Sequence, residues 1–265
     1  MKRSSPGNMA SGRKRTIIAG TVVFFVLAIT AALLIETSYV VPVLMYHSID
    51  NNDKASKLSV SPESFERQME FLHKNKYNVI PLERAVSYIN KKERPPFKTI
   101  AITLDDGFEN NYTAAYPILK KYNIPAAIFV IVDKVGSPGF LTWPQIKEMS
   151  DSGLITIGSH TRTHFWLSGS DDKFLKNELV DSKKILEEKL GKKVNIFCYP
   201  MGFFDTNSKK AVEAAGYACA VSTNPSNVSP EDIFAIKRIK ISRSSDNMIV
   251  FWGEISRLYT WFKRN

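Results

Sequence analysis

The sequence predicts an α/β fold with parallel strands, arranged as a sheet or a barrel and preceded by one membrane-spanning helix. Three observations lead there. From Val40 onward short apolar runs alternate with amphipathic stretches, the pattern of repeated strand–helix units. No internal repeat and no long linker breaks the alternation, so residues 36–265 read as one domain. Ahead of it, Thr16 to Ile35 (TIIAGTVVFFVLAITAALLI) carries no charge and as a helix would match the hydrocarbon thickness of a bilayer.

Each element has a local reason. Val40–Tyr46 (VVPVLMY) reads as the first strand. Ser61 and Pro62 form an N-cap and first-turn pair, and Phe65, Met69 and Leu72 follow at helical spacing. Thr99–Leu104 (TIAITL) reads as a strand, and Tyr112–Tyr122 as a helix stopped by Asn123 and Pro125. Ala126–Val132 is a buried strand; Thr142 and Pro144 open a helix that ends near Gly153; Ile155–Gly158 is the next strand. Asp172–Leu190 is a long amphipathic helix closed by Gly191. Val194–Tyr199 reads as a strand, Asn207–Ala215 as a helix ended by Gly216, Ala218–Ser222 as a strand and 246–263 as a final helix.

The charge pattern orients the N-terminal run. The arm 1–15 holds Lys2, Arg3, Arg13, Lys14 and Arg15 with no acid, which is half of the formal net charge of +10. Positive charge stays on the cytoplasmic side, so 1–15 is expected to be a cytoplasmic arm and 16–35 an uncleaved transmembrane signal-anchor. A cleaved signal peptide has a shorter apolar core and a small-residue cleavage site. On either reading residues 36–265 lie outside the cytoplasm, periplasmic or extracellular.

Composition excludes other classes. With 44% apolar and 23% charged residues the chain is neither disordered nor fibrous. The body is only mildly basic, so nucleic acid is not an expected partner. Two cysteines, Cys198 and Cys219, rule out a multi-bridge disulfide scaffold; they read as buried free thiols, with a bridge between neighbouring strands in an oxidising compartment as the alternative. His73 reads as a helix-packing or surface residue, and Trp252, Trp261 and Phe262 as core.

In folds of this class reactive side chains gather at the C-terminal ends of the strands. Asp105 and Asp106 directly follow Thr99–Leu104, with Gly107 permitting the strand to break. His160 and His164 follow Ile155–Gly158, and a four-residue spacing puts both imidazoles on one side of a helical turn. With Asp106 they would make a two-histidine, one-carboxylate set with an open position, the form of a catalytic zinc site, although cobalt and nickel suit the same donors. His47 follows the first strand, and Tyr199, Pro200 and Met201 follow another.

Three of these segments together resemble the polysaccharide deacetylase family (carbohydrate esterase family four). Thr103-Leu104-Asp105-Asp106-Gly107 is similar to its Thr-Phe-Asp-Asp-Gly motif, His160 to His164 to its His-Ser/Thr-x-x-His motif, and Tyr199-Pro200-Met201-Gly202 to its third motif. The likeness spans about 40–245 in the family's order. It implies a deformed (β/α) barrel and hydrolysis of N-acetyl groups on sugars. It implies Asp105 as general base and Asp106, His160 and His164 as metal ligands, with the Met201 N–H, beside Pro200 and Tyr199, as oxyanion donor. No histidine follows His164, but Leu44-Met45-Tyr46-His47 resembles the relocated general-acid motif of the family's circularly permuted branch. That branch includes deacetylases of exported poly-N-acetylglucosamine, so His47 takes the acid role and an acetylated amino-sugar polymer is the expected partner.

The sequence departs from the family at three places. Leu104 replaces Phe, Met201 replaces Tyr, and Cys198 stands where the third motif has the arginine that positions the base. Arg238 is the candidate replacement. Two further readings stay open: a carbohydrate-binding relative with impaired catalysis, and an O-acetyl esterase of the xylan type.

Overall fold

The computed structural model describes residues 17–27, 30, 41–51, 57–223, 229, 231–256 and 259. The chain divides into two units, 1–39 and 40–265. In the first, 17–27 is helical and exposed. Among the described residues no helix is long and apolar enough to cross a membrane. The arm 1–15 and the rest of the 16–35 stretch, residue 30 apart, lie outside the described residues.

The second unit is built on nine parallel strands among the described residues. They are β1 (Val43–Tyr46), β2 (Asn78–Val79), β3 (Thr99–Leu104), β4 (Ala126–Val130), β5 (Ile155–Ser159), β6 (Ile196–Cys198), β7 (Cys219–Ser222), β8 (Ile236–Lys237) and β9 (Ile239–Lys240). Their order is β8-β7-β6-β5-β4-β3-β1-β9, with β2 added beside β3. The two outermost strands of that order are separated in sequence by one residue, Arg238. β8 pairs with β7 at Val221↔Ile236, and β9 pairs with β1 at Leu44↔Ile239. The sheet is thereby bent round into a near-closed barrel, and Arg238 sits at the seam. Because every strand runs the same way, all the C-terminal ends share one rim.

Strand alternation sorts the core into two clusters. Leu44, Tyr46, Ile102, Leu104, Ile128 and Val130 face outward onto Met69, Leu72, Leu119, Ile146, Met149 and Leu186 of the surrounding helices. Val43, Ala101, Ala127, Phe129, Ile196, Cys198, Cys219 and Val221 face inward. The helix Leu82–Lys91 supplies Leu82, Ala85 and Val86 to that same inner cluster. The sequence reading leaves this helix unassigned, because its apolar stripe is short and lies between Pro81 and Pro95.

Most boundaries follow the local signals. Thr99–Leu104 is a strand as expected, and Trp143–Asp151 starts from a capping box of Thr142 and Gln145. Two long helices are interrupted. A π-turn at Asn111–Ala115 precedes Tyr116–Tyr122, and another at Asn177–Asp181 divides Asp172–Lys176 from Ser182–Leu190. The last helix is Met248–Glu254. It buries Phe251 completely and leaves Trp252 57% exposed, so Trp252 is not core: one helical step turns it about 100° away from the barrel. Trp261 and Phe262 lie outside the described residues. His73 is exposed and its ring meets Tyr122 at 5.7 Å. Cys198 and Cys219 are buried free thiols.

Gly158 on β5 is required by packing. A Cβ there would lie 2.5 Å from the Phe129 ring and 2.7 Å from Ile196. Gly158→Ala is therefore expected to destabilise the domain by about 1–3 kcal/mol, the usual cost of overpacking. Urea denaturation of the two proteins measures it, and equal midpoints would refute the packing account.

Candidate active site

The inward row of β3 runs Ala101, Thr103, Asp105, so Asp105 is the residue that the strand's alternation delivers to the barrel interior at the rim. It is 2% exposed. The next residue would point outward if the strand continued. It does not: Asp106 and Gly107 both have φ of 72°, and the chain turns over the rim. The break thus begins at Asp106 itself, one residue before the glycine. Asp106, Thr161, His164 and Met201 are four of the eight non-glycine residues with left-handed backbone among the described residues. Such conformations cost about 1–3 kcal/mol each and persist where the surroundings over-determine them.

Asp106, His160 and His164 converge. Asp106 Oδ1 lies 3.4 Å from His160 Nε2 and 3.5 Å from His164 Nε2. The two imidazole rings are 4.7 Å apart. The spacing does not work through a helical turn as expected. Residues 160–164 form an irregular loop in which Thr161 (φ 67°) and His164 (φ 64°) reverse the chain, and this brings the rings together.

The donor chemistry fits a divalent metal. Three ligand atoms from these residues lie within 4.8 Å of one another. His160 Nδ1 is 2.8 Å from the Cys198 carbonyl, which only accepts, so Nδ1 carries a hydrogen, and Nε2, directed at Asp106, is the nitrogen that a metal would take in exchange for its proton. Burial pushes the His164 imidazole down and keeps it a neutral donor. Burial raises Asp106, but the hydrogen bond and charge of His160 outweigh it and hold the carboxylate low. Burial lowers His160, while the acceptors around it, Cys198 and then Asp106 and Asp105, push it up further, so the cluster attracts positive charge. A second group, Asp105, His160 and Cys198, is equally compact. It is not available to a metal, because a guanidinium already fills it.

That guanidinium is Arg238. Its Nη1 donates to Asp105 Oδ1 and its Nη2 to Asp105 Oδ2, each at 2.6 Å. Nη1 also reaches Thr103 Oγ1 at 3.0 Å, and Nη2 lies 3.1 Å from Cys198 Sγ. Arg238 is 4% exposed and lies over the Phe129 ring. Burial pushes Asp105 up, but Arg238's charge and paired hydrogen bonds outweigh it and hold the carboxyl well below the usual range. Cys198 Sγ lies beside both partners, 3.1 Å from Arg238 Nη2 and 3.6 Å from Asp105 Oδ2.

His47, just past β1, faces the same place. Its Nε2 is 3.9 Å from Asp105 Oδ2, and its carbonyl accepts from Asn111 Nδ2 at 2.8 Å. Its Nδ1 is buried without a hydrogen-bond partner among the described residues. Burial lowers the imidazole more than Asp105 and Asp106 raise it. Across the site, Met201 (φ 56°, ψ 5°) stands in the turn Pro200–Gly202 and is 58% exposed. The Met201 and Gly202 carbonyls are tied to the end of β7 by Thr223 Oγ1 at 3.3 Å and Ser222 Oγ at 2.6 Å. Pro200 is buried, and Tyr199 is anchored by its hydroxyl to the Phe234 carbonyl at 3.0 Å. A cleft of ≈ 980 Å³ is lined by His47, Asp105, Asp106, His160, His164, Tyr199, Met201 and Arg238. Pro200 does not line it. Thr103 and Asn111 join the site without having been foreseen. Thr103 could have been read from the inward register of its strand, whereas nothing local marks Asn111.

Arg238→Met should strand a buried carboxylate and cost about 3–5 kcal/mol at neutral pH. Asp105's folded pKa lies below its unfolded value of roughly 3.9. Its contribution is therefore complete above that pH and is lost as pH falls through the lower folded value. In the variant only the weaker charges of His47 and His160 still oppose burial, so the folded pKa rises and protonation relieves the strain. The stability gap between the two proteins should narrow as pH falls. A gap that stays constant in urea titrations at pH 8 and pH 5 would refute this.

Known proteins resemble this chain in sequence and in fold. The family model for polysaccharide deacetylase matches residues 92–220. A Bacillus subtilis (strain 168) protein that carries the family's name, YxkH, is 37% identical over 202 residues, 76% of this chain and 71% of its own length. A poly-beta-1,6-N-acetyl-D-glucosamine N-deacetylase of Staphylococcus aureus (strain MRSA252) is 31% identical over 209 residues, 73% of this chain and 72% of its own. Among solved structures, the Streptococcus pyogenes deacetylase PplD in complex with acetate superposes with a TM-score of 0.72 at 28% identity, covering 85% of this chain and 98% of that one. With the barrel, the paired aspartates and the two-histidine loop in place, this chain belongs to the polysaccharide deacetylase family.

Proposed function

We propose that this chain is a metal-dependent hydrolase that removes N-acetyl groups from an N-acetylglucosamine-containing polysaccharide outside the cytoplasm. One observation carries the reading: a two-histidine, one-carboxylate donor set opens into the cleft where Asp105 and His47 stand 3.9 Å apart. Asp106, His160 and His164 would hold the ion, zinc first, with cobalt or nickel suited to the same donors. The ion supplies Lewis acidity, polarising the acetamide carbonyl and making water more acidic.

The remaining roles belong to side chains of this protein. Asp105, kept ionised by Arg238, takes the proton of the attacking water. The Met201 N–H donates to the oxygen that becomes negative as the carbonyl carbon turns tetrahedral, a contact typically worth about 3–4 kcal/mol. His47 gives its proton to the nitrogen as the C–N bond breaks. Burial weakens its hold on that proton, so the step requires His47 to be protonated beforehand. The products are acetate and a free amino sugar. The S. aureus relative is named for poly-beta-1,6-N-acetyl-D-glucosamine, which makes that polymer the first substrate to test. The basic arm 1–15 and the apolar stretch 16–35 support a single-pass anchor with the N-terminus in the cytoplasm.

A panel of N-acetylglucosamine oligomers and O-acetylated xylan, assayed for acetate release with and without chelator, tests the activity. Release from the amide substrates that stops on chelation and returns with zinc is expected. Release that ignores the chelator, or that occurs only from esters, would sink the reading. Asp105→Asn should bind metal as the parent does while kcat falls by about 10²–10⁴, the usual worth of a positioned base. Metal analysis and steady-state kinetics on the same preparation check both halves, and an unchanged kcat would remove Asp105 from the base role.

A further inference from the structure

The loop that carries His160 and His164 reverses the chain twice at non-glycine residues. Its ends are held locally. Thr161 N donates to Ser159 Oγ at 3.2 Å, and His164 N donates to Thr161 Oγ1 at 2.9 Å. Two of its carbonyls, those of Thr161 and Arg162, accept from Val132 N and Asp133 N at 3.2 and 2.9 Å. The N–H groups of Arg162 and Thr163, between the histidines, face away from those partners. Both donate to one carboxylate oxygen, Glu178 Oε2, at 3.0 and 2.9 Å, and Thr163 Oγ1 donates to Glu178 Oε1 at 2.9 Å.

Glu178 comes from a different element, the π-turn Asn177–Asp181 inside the helical stretch after β5. It is 3% exposed, beside the buried Leu179 and one turn from the buried Leu175. A π-turn adds a residue to the helical repeat and re-aims the side chains around it. A charged side chain this deeply buried is rare unless paired, and here it is spent on the backbone of the metal loop.

We propose that Glu178 is a positioning residue for the metal centre: its buried carboxylate clamps the strained turn between His160 and His164 and so sets the separation of the two imidazoles. It belongs neither to the candidate ligand set nor to the lining of the cleft. The proposal rests on the metal reading of the preceding section and concerns a residue that none of the three family-like motifs contains.

The test uses chelator-stripped protein titrated with Co²⁺, followed by its visible absorption, beside thermal unfolding of the metal-free forms. Glu178→Ala should weaken Co²⁺ binding about 10–100-fold, the range for losing a group that orients a ligand. Its absorption bands should also shift. Glu178→Gln should recover most of the affinity, because its carbonyl oxygen accepts both N–H groups and its amide donates to Thr163 Oγ1. Thr163→Val, which removes one of the three bonds with little change of shape, should show a smaller loss and keeps the test open if Glu178→Ala fails to fold. Unaltered Co²⁺ affinity and absorption in Glu178→Ala and Thr163→Val, with only a lowered melting temperature, would overturn the proposal and leave the metal reading standing. A parent protein that takes up no Co²⁺ would overturn both.

Discussion

A fully desolvated ion pair ties the barrel to its chemistry. Arg238 lies at the one-residue joint between β8 and β9, where the sheet meets itself, and its guanidinium grips both oxygens of Asp105. Neither charge is tolerable alone in that interior, since an unpaired buried ion costs several kcal/mol. The Arg238 backbone N–H reaches back to the Ser222 carbonyl at 3.1 Å, so β7 holds the arginine in place from the other side. Cys198 Sγ lies against both members of the pair.

Around this pair the rim is assembled from loops that the strands alone would not shape. Parallel strands bring the ends of β1, β3, β5 and β6 to one level, but an extended chain continues outward. The left-handed turns at Asp106, Thr161, His164 and Met201 bend it back over the barrel mouth. Two of the loops are tied to a neighbouring element. The Met201 loop is tied to β7, and the His160–His164 loop to the Asn177–Asp181 turn. Gly202 is needed in its turn, because a Cβ there would collide with Thr223. The site's geometry is a property of these cross-ties more than of the strands.

What the sequence made legible was local. Apolar runs between breakers marked the strands Thr99–Leu104 and Ala126–Val130, and the cap residues Ser61 and Thr142 marked two helix starts. Adjacent aspartates before a glycine, and two histidines four apart, marked the chemistry. The same local logic misjudged how the histidines meet, because it supposed a helical turn where the backbone reverses at Thr161. It also assigned Trp252 to the core, since hydrophobicity alone does not say which side of a short helix faces inward. The two-residue strands β8 and β9, the helix Leu82–Lys91 and both π-turns were missed, being too short or too irregular for a periodic pattern to show.

By itself, then, the sequence determined the α/β alternation and the short segments that carry the candidate ligands, and its resemblance to the family marked the candidate base and the departure at Cys198. Only the tertiary structure decided that Arg238 grips Asp105, that His47 stands within 3.9 Å of Asp105, and that Glu178 accepts from the backbone of the His160–His164 loop. The residues of the Arg238 contact lie 133 positions apart. A contact of that kind leaves no trace in neighbouring residue types; it exists because the sheet curves until its two ends meet, and curvature is a sum over every strand.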